Sequence, residues 1–113
     1  MHEMSLCEGI LNILQKQSKI DQYSTVKTVV LEIGRLSSIE PDALRFAFSV
    51  VMKGSIAENA RLNIIDIAGQ AWCLHCQKQV VINQRYDGCP LCGGYPLQIT
   101  EGQQMRIKEL EVL

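Results

Sequence analysis

Cys73-Leu74-His75-Cys76 and, after twelve intervening residues, Cys89-Pro90-Leu91-Cys92-Gly93 decide how this chain is built. Two thiolates separated by two residues fit on one tight turn and bind one edge of a metal ion. Two such turns, brought together by a short hairpin, complete a tetrahedron. Zinc suits four thiolates because it asks for no redox chemistry and has little geometric preference of its own. Gly93 follows the second pair, where a residue without Cβ can take positive φ and turn its amide toward a sulfur. Val80, Val81 and Ile82 supply a short strand between the pairs.

Four protein ligands close such a site, so the zinc is structural and leaves no place for a catalytic water. A zinc deaminase would need H-x-E ahead of its cysteine pair, and His2-Glu3 has the wrong spacing. Iron of the rubredoxin type is the sharper rival, because Cys-Pro-x-Cys-Gly also occurs there, although rubredoxin knuckles usually lie much further apart. His75 reads as an exposed knuckle residue, with a spare metal ligand as the alternative. Cys7 reads as a small core residue rather than a ligand.

Outward from the cysteines, the pattern changes. Gly69, Gly93, Gly94 and Gly102 mark flexible edges. Before them, residues 6–18 predict a helix, with Ser5 to Glu8 as its capping box and Leu6, Ile10, Ile13 and Leu14 on one face. Residues 25–35 predict a strand with Val29, Leu31 and Ile33 on one side. A second helix starts at Pro41, burying Leu44, Ala47, Phe48 and Val51. Residues 61–68 and 105–112 predict two more strands, the last with a bulge near Glu109. The fold class expected is α+β: two helices packed on a three-stranded sheet, with an inserted zinc-ribbon-like lobe. Residues 1–68 and 103–113 would form one discontinuous domain, and 69–102 the zinc-binding domain.

Composition narrows the function. Apolar residues make up 47% of 113, enough for a core, but aromatics are only 5%, so aliphatic side chains must fill it. Eleven basic and twelve acidic residues leave a net charge of −1, which argues against nucleic acid and against an anionic membrane surface. The segment 69–101 balances Lys78 and Arg85 against Asp87 and Glu101, and four thiolates on Zn²⁺ then add about −2. The start of the chain lacks a basic, then apolar, leader, and no apolar run approaches a membrane span. A cytoplasmic protein with reduced thiols is expected.

The amino terminus carries a second metal signal. His2 is bulky, so Met1 should be retained and keep a free α-amine. That amine, the backbone nitrogens of His2 and Glu3, and the His2 imidazole can lie in one plane. Deprotonated amides favour a square-planar ion, which points to Ni(II), with Cu(II) the competitor. The plain alternative is a disordered end. Glu3 and Glu40 are candidate outer ligands or hydrogen-bond acceptors, and Glu40 also suits the positive end of the second helix.

Met1-His2-Glu3 with Ser5-Leu6-Cys7, Leu31-Glu32-Ile33-Gly34, Gly54-Ser55 with Ala57-Glu58, Ala71-Trp72-Cys73, and Cys89-Pro90-Leu91-Cys92-Gly93 together resemble the HypA/HybF family of nickel-incorporation factors for [NiFe]-hydrogenase maturation. The resemblance spans essentially the whole chain. It implies a nickel metallochaperone without catalytic turnover: Ni(II) transported, Zn(II) structural. It implies nickel held by His2 and adjacent backbone nitrogens, with Glu40 at the family's acidic position. It also implies a partner GTPase, HypB, and delivery to the hydrogenase large-subunit precursor. A homo-oligomer is compatible with the sequence. Several members of the family place His directly after a Cys-x-x-Cys pair, where this chain has Gln77 and Gly93. The reading from another class is a zinc-ribbon module that binds protein or RNA.

Overall fold

A computed structural model of the chain describes residues 2–95 and 97–113. The elements run α1 (Glu3–Asp21), β1 (Val26–Gly34), α2 (Pro41–Val51), β2 (Arg61–Ile67), β3 (Gly69–Cys73), β4 (Lys78–Ile82), β5 (Leu97–Glu101) and β6 (Met105–Val112). They form two three-stranded sheets, ordered β2-β1-β6 and β4-β3-β5. The chain divides into two compact units: Met1–Leu31 with Ile39–Ile64 and Ile107–Leu113, and Glu32–Ser38 with Ile65–Arg106.

In the first unit, α1 begins earlier than its sequence suggests. Its N-cap is His2, which makes no side-chain capping bond, so Ser5 lies inside the helix and the expected capping box does not form. The buried stripe is Glu3, Cys7, Ile10 and Leu14, spaced by three and four residues as one helix face requires. Ile13, expected inside, is 51% exposed, because the stripe is rotated toward Cys7. The helix ends where Gln22 turns left-handed (φ 59, ψ 44). The Tyr23 hydroxyl then donates to the Leu14 carbonyl at 2.8 Å, which ties the chain leaving the helix back onto it.

Helix α2 starts as expected. Pro41 sits in the first turn and the Glu40 carboxylate accepts from the Asp42 amide at 3.3 Å. Leu44, Ala47 and Phe48 are buried and Val51 half-buried. The two helices pack on each other, and the Cys7 thiol donates to the Leu44 carbonyl at 3.7 Å. With Val26, Val29, Leu31 and Met52 they make the core, each large aliphatic side chain contributing about 1.5–3 kcal/mol on burial.

Burial along β6 does slip at Lys108-Glu109, yet no net extra residue is inserted. Thr25 pairs with Leu113 and Gly34 with Gln104, so both strands advance nine residues between those pairings. The slip reflects which side chains are covered rather than a bulge that shifts the register.

The second unit is built on β3. Gly69 to Cys73 pair with Ile82 to Lys78 on one side. On the other, β5 pairs with a bulge between Gln70 and Ala71. Leu36, Ala71, Cys73, Val80, Ile82 and Cys89 form its core, with Cys76, Leu97 and Ile99 against it. Strands β3 and β5 were not expected from the sequence, although Gln70-Ala71-Trp72 and Leu97-Gln98-Ile99 do alternate. Three glycines close the base of this unit. The Leu36 amide donates to the Gly102 carbonyl at 2.8 Å. A Cβ on Gly34 would overlap that same carbonyl, and one on Gly102 would come within 2.7 Å of the Gly69 Cα.

Candidate metal centres

The hairpin from β3 to β4 carries the first knuckle, and the turn before β5 carries the second. The two are built alike. The Gln77 amide donates to the Cys73 carbonyl at 2.8 Å, and the Gly93 amide to the Cys89 carbonyl at 2.7 Å. Both residues are left-handed, with φ 55 at Gln77 and 71 at Gly93. The positive φ expected at Gly93 is present, but its amide is bound to a carbonyl, not a sulfur. Sulfurs receive other amides: Cys76 donates to Cys73 Sγ at 3.3 Å and Leu91 to Cys89 Sγ at 3.4 Å. That Gln77 matches Gly93 was not legible, because nothing about a glutamine announces a left-handed backbone.

These turns bring the ligand atoms of Cys73, Cys76, Cys89 and Cys92 within 4.8 Å of one another. Cys73 and Cys92 sulfurs lie 3.8 Å apart, and those of Cys76 and Cys89 3.9 Å. Four sulfurs placed about 2.3 Å from one tetrahedral ion would stand about 3.8 Å apart. The separations are nearly twice a disulfide bond of about 2.0 Å, and all four cysteines are free. Cys73 and Cys89 are buried, Cys76 half-buried and Cys92 exposed.

Their electrostatics call for a cation. Burial raises the Cys89 thiol, but the amides of Cys92 and Leu91 aimed at its sulfur, together with hydrogen bonds from the Cys73 and Cys92 thiols, bring it down to about 7. Cys76 is pushed up to about 12, first by sharing a hydrogen bond with Cys92 and then by burial. Neighbouring sulfurs therefore cannot all ionise by themselves. A divalent ion at their centre removes that conflict, and the cluster suits structural zinc. His75 is exposed and does not belong to the cluster.

The second predicted site lies at the start of α1. Met1 falls outside the described residues. His2 is exposed, and its carbonyl accepts from the Leu6 amide at 2.9 Å. Its ψ is 1°, which eclipses the backbone nitrogens of His2 and Glu3. That is the arrangement a five-membered chelate through both nitrogens needs, and it lies in the sparsely populated bridge region. The Glu3 amide opens the first helical turn, where no intrahelical acceptor exists for it. Glu3 itself is only 8% exposed. Its carboxylate accepts from the Glu40 amide at 3.4 Å, so the first turns of α1 and α2 meet there. Glu40 remains exposed and caps α2. Cys7 is fully buried one turn along α1. Burial first, and the Glu3 charge second, push its thiol up to about 11, which suits a core residue.

Residues 1–112 match the family model described as "Hydrogenase/urease nickel incorporation, metallochaperone, hypA". The chain belongs to the HypA family. It is 53% identical over 112 residues to the hydrogenase maturation factor HypA of Azotobacter chroococcum mcd 1, and 51% identical to that of Rhodopseudomonas palustris (strain BisA53). Each alignment covers 99% of both chains. Among solved structures, the chain is similar to the solution structure of the Ni metallochaperone HypA from Helicobacter pylori, with a TM-score of 0.72 and 28% identity, covering 100% of this chain and 98% of that one. The HypA family is one of nickel-incorporating metallochaperones in hydrogenase maturation. Among the described residues, no helix is long and apolar enough to cross a membrane.

Proposed function

We propose that this chain is a cytoplasmic nickel metallochaperone that binds Ni(II) at its amino terminus and delivers it to the [NiFe]-hydrogenase large-subunit precursor, with the GTPase HypB as partner. It turns over no substrate. Its ligands are the Met1 amine, the backbone nitrogens of His2 and Glu3, and the His2 imidazole, with Glu40 close to them in the second rank. Cys73, Cys76, Cys89 and Cys92 hold zinc. Residues 1–68 and 103–113 serve nickel, and 69–102 serve zinc. The observation that carries this reading is the His2 backbone, whose ψ of 1° pre-sets two adjacent nitrogens for one planar ion, in a chain of a nickel-handling family. The two centres divide the work. Four thiolates on one ion exchange slowly, whereas ligands at a chain end can leave one at a time to a receiving site.

Nickel titration of the untagged chain, followed by its d–d absorption, tests this. A residue added before Met1 turns the amine into a peptide nitrogen and should weaken or reshape binding with His2 untouched. His2→Ala should remove planar nickel and leave zinc content unchanged. His2→Gln, which keeps polarity and loses the imidazole, should behave the same. Equal affinity and spectrum in all these proteins would exclude the site. Loss of the protein should leave the hydrogenase precursor without nickel, with excess nickel salt partly restoring activity.

A further inference from the structure

A cleft of about 320 Å³ in the second unit is lined by Arg35, Arg85, Ser38, Asn83, Gln84 and Tyr86, and among the described residues no carboxylate lines it. The two arginines differ. Arg35 has its charge matched by Asp66, 2.6 Å away, and donates also to Asn83 Oδ1 at 2.8 Å. Arg85 is held by neutral acceptors alone: its Nε donates to the Leu36 carbonyl at 2.8 Å and an Nη to Gln103 Oε1 at 3.2 Å. Those two bonds fix the guanidinium plane and leave its other donors free, and among the described residues Arg85 makes no ion pair. Asp87, two residues on, is turned to the backbone: its Oδ2 accepts the Asn83 and Gln84 amides at 3.0 and 3.1 Å.

The rest of the wall supplies directional donors. Asn83 presents its oxygen to Arg35, so its NH₂ is the end left for a ligand. Ser38, in a left-handed conformation with φ 66, and exposed Tyr86 also line the cleft, and each carries a hydroxyl. A fixed, unneutralised guanidinium with donors from several residues matches a group bearing more than two acceptor oxygens around one centre. A flat carboxylate would leave part of that set unused.

We propose that this cleft binds a phosphate group, Arg85 supplying the charge and Asn83 and Ser38 the directional hydrogen bonds. Binding is independent of nickel, so the test uses the zinc-loaded full chain without nickel. Amide signals of Asn83, Gln84 and Tyr86, and the Arg85 Nε–H, are followed by NMR at constant ionic strength. Sodium phosphate, adenosine monophosphate and sodium acetate are titrated in turn. Saturable shifts with phosphate or the monoester are expected, the tighter of the two showing whether a free or an esterified phosphate is the source. Arg85→Gln should weaken binding about tenfold or more. Because Arg85 also braces the Leu36 carbonyl, Asn83→Asp is the second variant: it keeps the acceptor for Arg35, adds a negative charge, and should abolish the shifts with zinc retained. No saturable shift with either phosphate, an equal response to acetate, or unchanged affinity in Asn83→Asp would overturn the assignment.

Discussion

Exchanging the residues that follow the two knuckles should move zinc affinity in opposite directions. Gln77 and Gly93 make the same amide-to-carbonyl bond at nearly the same positive φ, but only one is glycine. An L-residue in the left-handed region costs about 1–2 kcal/mol. Glycine costs about 0.5–1 kcal/mol more than alanine in lost chain entropy. Gln77→Gly removes the first cost and incurs the second, a net gain of about 0.5–1 kcal/mol. Gly93→Ala does the reverse, and a Cβ there meets nothing within 4 Å, so the backbone term stands alone. Because ordering the knuckles is coupled to metal binding, the two variants should differ by about 1–2 kcal/mol, or about five- to thirtyfold in zinc affinity. Competition against a chromophoric chelator at fixed pH measures this. Zinc binding weakened in Gln77→Gly, or tightened in Gly93→Ala, would refute the strain argument.

Gly34→Ala should prevent the second unit from folding, seen as lost NMR dispersion, since its Cβ would overlap the Gly102 carbonyl. Gly9→Ala, in α1 with nothing within 4 Å, should instead raise stability by up to about 1 kcal/mol in urea unfolding. Alkylation at pH 8 should spare Cys7 until the chain unfolds. Its thiol is raised from 9.0 to about 11, which cuts the thiolate fraction about a hundredfold; fast labelling of the folded chain would contradict its burial. Nickel affinity should fall steeply on acidification, because every proposed donor must lose or lack a proton, and a flat profile in titrations at successive pH values would require other ligands.

Some of this protein is written in short stretches of chain. The two Cys-x-x-Cys pairs, the glycine after the second, Pro41 at the head of α2 and the alternation of Val29, Leu31 and Ile33 all express neighbours only a few residues apart. Their outcome follows from covalent geometry and from the 3.6- and two-residue periods of helix and strand. The sequence alone therefore determined the knuckles, the helix–strand order of the first unit and the last strand's limits. Tertiary structure decided the rest. Glu3 begins α1 two residues before the expected capping Ser5, and its carboxylate meets the Glu40 amide, 37 positions away. Gln77 takes a backbone conformation that its side chain does not favour, because the Cys73 carbonyl must be bound while its sulfur faces the other three. Strands β3 and β5 are short and pack into one core with Leu36, Val80 and Ile82 from elsewhere in the lobe, so their own pattern is weak. Gly34 and Gly102 are ordinary glycines in the sequence and become indispensable only where two backbones meet. Contacts between distant segments depend on closure of the whole chain, and a local pattern carries no record of which backbone will arrive on the other side.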